Sequence, residues 1–392
     1  MPLRRAVIGY HRPLHCPQRL YMPPTSTTPR IHGLDTLRAL AVGLVVLHHY
    51  VLFVSERATF GWVGDVGWVG VDLFFALSGY LIGHQIFAGL ASSSGFSLGR
   101  FYGRRLLRTL PNFYAVLALY YCWPWFADGA PMLPPWRFLT FTQNILLTPG
   151  TGFSHAWSLC IEEQFYMLLP AVALWIAARR RSLRLGWTVL MATVVLGLLA
   201  RGWLWRSQVD GAAYAQFNYF KYIYYSSACR LDELLAGVAL AMLKNFHPGL
   251  WRRMTRHGDL ALVAGLAILG GAFAWFLHDR YAFAVTVLGY PLLALGFGLL
   301  VLAALDPASK LGATRIPGCE RLALWSYAIY LIHKPVSVLA ARPLAAAGYG
   351  PESLLTIIAL LLLSVLSGAL LYRLVESPFM ALRAKYLPVM AR

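Results

Sequence analysis

The sequence predicts an all-α polytopic membrane protein, with about ten transmembrane helices around a polar central channel and both termini cytoplasmic. Three observations carry this expectation. First, the 392 residues are 58% hydrophobic and only 13% charged, with a mean hydropathy of +0.58. An ordinary soluble domain does not reach those values. Second, apolar spans recur near 35–55, 68–88, 109–126, 157–177, 186–204, 223–243, 259–277, 285–304, 322–341 and 353–372. Each suits a hydrocarbon core of about 30 Å at about 1.5 Å of rise per residue. Third, the net charge of +18 is one-sided. With the N-terminus inside, 24 of the 34 Lys and Arg residues fall in cytoplasmic segments. The positive-inside rule explains that bias without nucleic acid as a partner.

These spans divide the chain into a basic cytoplasmic tail (1–30), a membrane domain (31–380) and a short cytoplasmic C-terminal tail (381–392). The first segment is rich in Pro, Arg and Thr and lacks a continuous apolar run. It is read as disordered rather than as a signal peptide, solvated or touching anionic lipid. The five cysteines are scattered, with no CxxC pair and no Cys/His zinc spacing. Neither a disulfide framework nor a metal site is expected.

The first span, LDTLRALAVGLVVLHHY (34–50), organises the rest. Arg38 and His49 are eleven residues apart, three turns plus about 20°, so both leave one helical face. Their separation along the axis is about 16 Å. A guanidinium at that depth needs a protein interior or a polar cavity. His48 points about 100° away. Next, GWVGDVGWVGVDLFFALSGYLIGHQIF (61–87) opens on glycines that permit a bent or re-entrant entry. Asp72, near membrane depth, calls for a partner. Ser78 and Gly79 suit close helix packing.

Arg104, Arg105 and Arg108 precede the third span. Arg104 and Arg108 share a face at i, i+4. They are either a phosphate-binding fork set or a topology anchor. The longest external loop (127–156) carries a Pro- and Trp-containing stretch able to hold a short interfacial helix. FSHAWSLCIEEQFYMLLP (153–170) follows. His155 and Glu162, seven residues apart, lie on one face. Glu163 adds a second acid that needs a partner.

The run RRRSLR (179–184) reads as an anchor, and the aromatic-rich loop 205–225 as an interface belt or a sugar-stacking surface. Arg230 pairs naturally with Asp232 or Glu233 in RLDELLAG (230–237). His333 and Lys334 interrupt the ninth span, which Pro335 bends. No internal repeat or pair of broken helices points to a common transporter architecture.

Taken together, these motifs resemble the membrane-integral acyltransferase-3 family. The matching residues are Arg38 and His49, GVDLFFALSGYLI (70–82), RRLLR (104–108), HAWSLCIEEQFY (155–166), RLDELLAG (230–237) and SYAIYLIHKPV (326–336). They occur in the family's order, from about Leu34 to Phe379. The family often has two residues fewer between its serine and the paired acids than this chain's Ser158-Leu-Cys-Ile-Glu-Glu.

The resemblance implies a stand-alone, multi-pass enzyme of the bacterial inner membrane. It would move an acyl group, typically acetyl, from acyl-CoA to a hydroxyl of a carbohydrate such as a surface polysaccharide or lipid-linked glycan. A small glycosylated metabolite such as a macrolide is the alternative acceptor. From another class, a transporter or flippase remains the competitor. On this reading Arg104, Arg105, Arg108 and Arg38 bind the coenzyme and His49 is the general base. Glu162 and Glu163 orient the base or hold the acceptor. Asp72, Ser78, His155, Trp157, Ser158 and Tyr166 line the substrate path.

Overall fold

The computed structural model describes residues 30–92, 95–178 and 183–388. Most of the N-terminal tail, the basic run at 179–182 and the last four residues lie outside the described residues. Ten long helices follow in order: α1 His32–Tyr50, α2 Gly70–Ala91, α3 Leu98–Cys122, α4 Trp157–Ala178, α5 Leu183–Leu204, α6 Asp232–Phe246, α7 Gly258–Asp279, α8 Tyr290–Leu305, α9 Cys319–Ala346 and α10 Leu354–Leu371. A wider helical turn leads from α10 into α11, Ser377–Tyr386. No strand occurs among the described residues. The protein is therefore an all-α, multi-pass membrane protein.

Each of the ten expected spans falls on one of α1 to α10. Among the described residues, eight helical stretches are long and apolar enough to cross a membrane. The other two expected spans, α3 and α6, depart for a shared physical reason. The first turns of α3 carry Arg100, Arg104, Arg105 and Arg108. The 15-residue α6 opens on the buried acids Asp232 and Glu233. Both spend polar residues on the protein interior, so a uniformly apolar stretch is neither needed nor present.

The helices sort into an inner and an outer set. In α2, 83% of the most apolar window is buried, against 6% in α5, so α2 is a core helix and α5 faces lipid. The entry to α2 is bent, as its glycines allow: Trp62–Val66 forms a short helix, Gly67–Val69 a tight turn, and Gly70 starts α2. Gly70 lies against the backbone of Ala41 in α1. Gly79 meets the backbone of Leu234 in α6, and Gly237 meets Ala76 and Tyr80 of α2. Lipid supplies little hydrophobic drive between helices, so such backbone contacts carry the packing. The long loop also holds a short helix, Pro135–Leu139, with Trp136 exposed on it.

A Cβ at Gly237 would overlap the α2 backbone, which cannot step aside. Gly237→Leu is therefore expected to cost at least about 2 kcal/mol through overpacking. Gly43 in α1 has nothing within 4 Å of its virtual Cβ. Gly43→Ala should leave stability unchanged or raise it by about 0.5–1 kcal/mol. Thermal unfolding in detergent, read by loss of monodisperse protein, checks both.

Candidate active site

Helices α1, α2, α3, α4, α9 and α11 enclose a cavity of about 440 Å³. Five arginines line it: Arg38, Arg104, Arg105, Arg108 and Arg383. Glu162 is the acid among its lining residues. Arg105 lies 3.7 Å from Glu163 and 4.1 Å above the Tyr166 ring. Arg38, Arg108 and Arg383 carry no salt bridge among the described residues. A pocket so charged suits a polyanion, since Arg forks grip phosphate or carboxylate oxygens in pairs.

Local sequence explains how each group arrives. The i, i+4 spacing of Arg104 and Arg108 turns both toward the cavity, and Arg105 follows on the flank facing α4. Arg383 arrives from α11, and the residues flanking that helix are tied to α3 at two points. Arg104 donates to the Leu387 carbonyl, and Asn112 donates to Glu376 over 2.7 Å. The sequence reading placed Arg383 in a C-terminal tail and missed its role as a cavity residue. The available signal was slight: Ser377-Pro378 suits the first turn of a helix, and Arg383 and Lys385 suit its last turn.

The remaining lining residues form a hydrogen-bonded wall. Ser78 donates to Glu162 over 2.8 Å, which occupies one carboxylate oxygen. Tyr327 donates to the Thr109 carbonyl over 2.8 Å. At the inner end Tyr330 donates to the His155 carbonyl over 2.6 Å, so its oxygen accepts from Ser158, also at 2.6 Å. Ser158 and Tyr330 both line the cavity.

Behind that wall lies a cluster of three histidines. His49 and His333 are joined by a 2.7 Å bond between ring nitrogens, with centroids 4.9 Å apart. His155 sits 6.0 Å from His49 and 5.8 Å from His333. The Tyr330 ring is 6.0 Å from His155 and 6.2 Å from His333, so it stands between cavity and cluster. Pro335 has no N–H, which leaves the Leu331 carbonyl free one turn earlier. Nε2 of His155 takes that carbonyl at 3.1 Å. His155 is also held from behind by Phe153, a buried residue in the left-handed region at φ 56°. Phe153 packs on Phe113, Tyr120, Phe138 and His155. A non-glycine residue there is strained, and the surrounding rings hold it in place.

The structure thus gathers Arg38, Arg104, Arg105, Arg108, Ser78, Ser158, Glu162 and Tyr166 around one cavity. Glu163 backs Arg105. His49 and His155 are not among the residues that line the cavity, so it does not extend along the face shared by Arg38 and His49 as far as His49.

Asp72 and Trp157 belong elsewhere. Asp72 is fully buried in an ion pair with Arg230. The Arg230 guanidinium lies 5.3 Å from the Trp157 ring, 4.6 Å from Tyr224 and 4.3 Å from Tyr290. The sequence neighbour Asp232 instead pairs with Arg201 of α5, at 2.5 and 3.0 Å. Arg230 precedes α6, so its side chain reaches across to α2, while Asp232 on the first turn turns toward α5. Tyr219 and Tyr224 of the aromatic loop are buried in this packing, whereas Tyr214 and Phe217 of the same loop are exposed.

Fold and site define a class: a multi-pass helical membrane protein with an arginine-lined cavity beside a histidine cluster. The chain belongs to the acyltransferase 3 family, whose model, described as an acyltransferase domain, matches residues 31–373. It is similar to the peptidoglycan O-acetyltransferase OatA of Listeria monocytogenes, with 27% identity over 79% of this chain and 50% of the relative. It is also similar to the O-acetyltransferase OatA of Staphylococcus aureus, with 24% identity over 90% of this chain and 57% of the relative. The chain spans about half the length of these curated relatives. No solved structure matches it.

Removing one member of a buried ion pair leaves the other uncompensated. Asp72→Ala is therefore expected to cost about 3–5 kcal/mol. The double change Asp72→Leu with Arg230→Met should recover a large part of that loss. Thermal unfolding of the purified variants in detergent measures both.

Proposed function

We propose that the protein transfers an acyl group, acetyl in the simplest case, from acyl-CoA to a hydroxyl of a carbohydrate at the membrane. The observation that carries this reading is the arginine cavity. Five guanidinium groups face a space with one lining acid, which suits the several phosphates of coenzyme A. Arg104, Arg105, Arg108 and Arg383 would hold those phosphates, and Arg38 the pantetheine arm. The positive-inside bias puts this mouth on the cytoplasmic side, where acyl-CoA is made. The names of the relatives support a cell-wall glycan as acceptor, and family membership supports acyl transfer over the flux of a transporter.

On this reading the thioester lies at the wall formed by Ser158 and Tyr330, and the acceptor comes to the side of His49. Tyr330 swings aside for transfer. His49 takes the proton of the acceptor hydroxyl, whose oxygen attacks the thioester carbonyl carbon. The C–O bond forms, the C–S bond breaks, and the proton passes to the departing coenzyme A sulfur. Glu162, held by Ser78, balances the charge of the arginines near the reacting end.

Two measurements test this. Calorimetric titration of the purified protein with acetyl-CoA should give a Kd weakened about tenfold or more in Arg108→Ala and in Arg383→Ala, from the loss of charge-assisted hydrogen bonds. Arg57, exposed and paired with Glu352 at 3.0 Å, serves as control, and Arg57→Ala should leave Kd unchanged. Unchanged affinity in the cavity variants would reduce the cluster to a topology anchor. His49→Ala should keep acetyl-CoA affinity and lower kcat by about 10²–10⁴-fold, measured with radiolabelled acetyl-CoA and a peptidoglycan disaccharide. Wild-type turnover in that variant would remove His49 as base.

A further inference from the structure

We propose that His333 is a positioning residue that fixes the tautomer of His49 and leaves Nε2 of His49 as its bare, proton-accepting nitrogen. The inference deepens the reading of His49 as general base and rests on it. The geometry follows from what each partner is able to donate. Nδ1 of His333 lies 2.9 Å from the Ile329 carbonyl, one turn back on α9. A carbonyl only accepts, so this nitrogen carries the proton. In a neutral ring Nε2 of His333 is then a lone pair. The 2.7 Å contact with Nδ1 of His49 must therefore be donated by His49. A neutral His49 protonated at Nδ1 presents its lone pair at Nε2. A buried imidazole with no such acceptor is free to take either tautomer, and half the wrong protonation is lost catalysis.

The surroundings make neutral rings the consistent state. His49 faces His48 from its own helix, His155 from the turn before α4, and His333 and Lys334 from α9. Lys334 sits 3.8 Å from the Phe53 ring, which itself packs 5.4 Å from His49. Among the described residues no carboxylate pairs with His48, His49, His155 or His333. The usual carboxylate partner of a catalytic histidine is replaced here by a second imidazole, itself locked by backbone. The lock depends on α9 alone, so it is in place before either substrate arrives.

The tautomer is read without any substrate. Full-length protein carrying isotope-labelled histidine, in lipid vesicles, is examined by nitrogen NMR at neutral pH, and His49→Gln assigns the signal. The expected result is a His49 ring protonated at Nδ1 in the wild type and in His333→Gln, whose amide oxygen replaces the acceptor. In His333→Phe the tautomer should be lost. His333→Asn, too short to reach, gives the same reading if the Phe variant does not accumulate. A wild-type ring protonated at Nε2, or a tautomer unchanged in His333→Phe or His333→Asn, would overturn the proposal.

Activity with acetyl-CoA and the disaccharide supplies an independent readout. His333→Phe should lower kcat about tenfold or more while the KM for acetyl-CoA moves less than about twofold. His333→Gln should restore kcat. Equal impairment of the Phe and Gln variants would make His333 a packing residue. Full activity in His49→Ala would instead sink the base assignment, whatever the tautomer.

Discussion

A guanidinium placed against hydrocarbon costs several kcal/mol, and by insertion measurements about 2.5–3.5 kcal/mol even at its cheapest. That penalty arranges the whole interior of this protein. Arg230 is turned toward Asp72 of α2, the buried helix, Arg201 toward Asp232 of α6, and Arg38, Arg104, Arg105, Arg108 and Arg383 toward the cavity. The apolar helices α5, α7 and α10 form the outer set, where large aliphatic side chains such as Leu196, Leu260 and Leu366 are exposed. Backbone contact at Gly79 and Gly237 brings α2 and α6 close enough for Arg230 to reach Asp72.

Two populations of arginine result. Arg201 and Arg230 are fully buried, each with a carboxylate partner and further backbone or aromatic contacts. Their charge is answered within the protein, which is the condition for a buried ion to persist. Arg38, Arg108 and Arg383 line the cavity without a salt bridge. Their charge remains for a ligand to answer. The same residue type is structural in one place and, on the proposed reading, donor-binding in the other. The difference lies in which carboxylate stands within 4 Å.

Proline has a comparable double use. Pro335 sits inside α9 and releases the Leu331 carbonyl, which then anchors His155. The histidine cluster is thus referenced to the backbone of one helix at two points, Ile329 and Leu331. Backbone references do not titrate, so they keep ring orientation independent of pH. A separate wall, Ser158 and Tyr330, keeps the cluster apart from the arginine cavity.

The sequence by itself determined the helical, membrane-spanning class. Apolar length and hydropathy are local quantities, and all ten expected spans fall on helices. It also determined the face shared by Arg104 and Arg108, because helical periodicity needs no tertiary information. Tertiary structure alone decided the partners. Arg230 took Asp72, 158 residues away, over its neighbour Asp232, and Arg383 entered the cavity from beyond the last span. It also set His49 against His155 and His333 rather than on the cavity that Arg38 lines, although helical phase puts both on one face. Periodicity gives the direction in which a side chain leaves its own helix. What meets it there depends on how other helices pack, and that is fixed by backbone contacts no single segment contains.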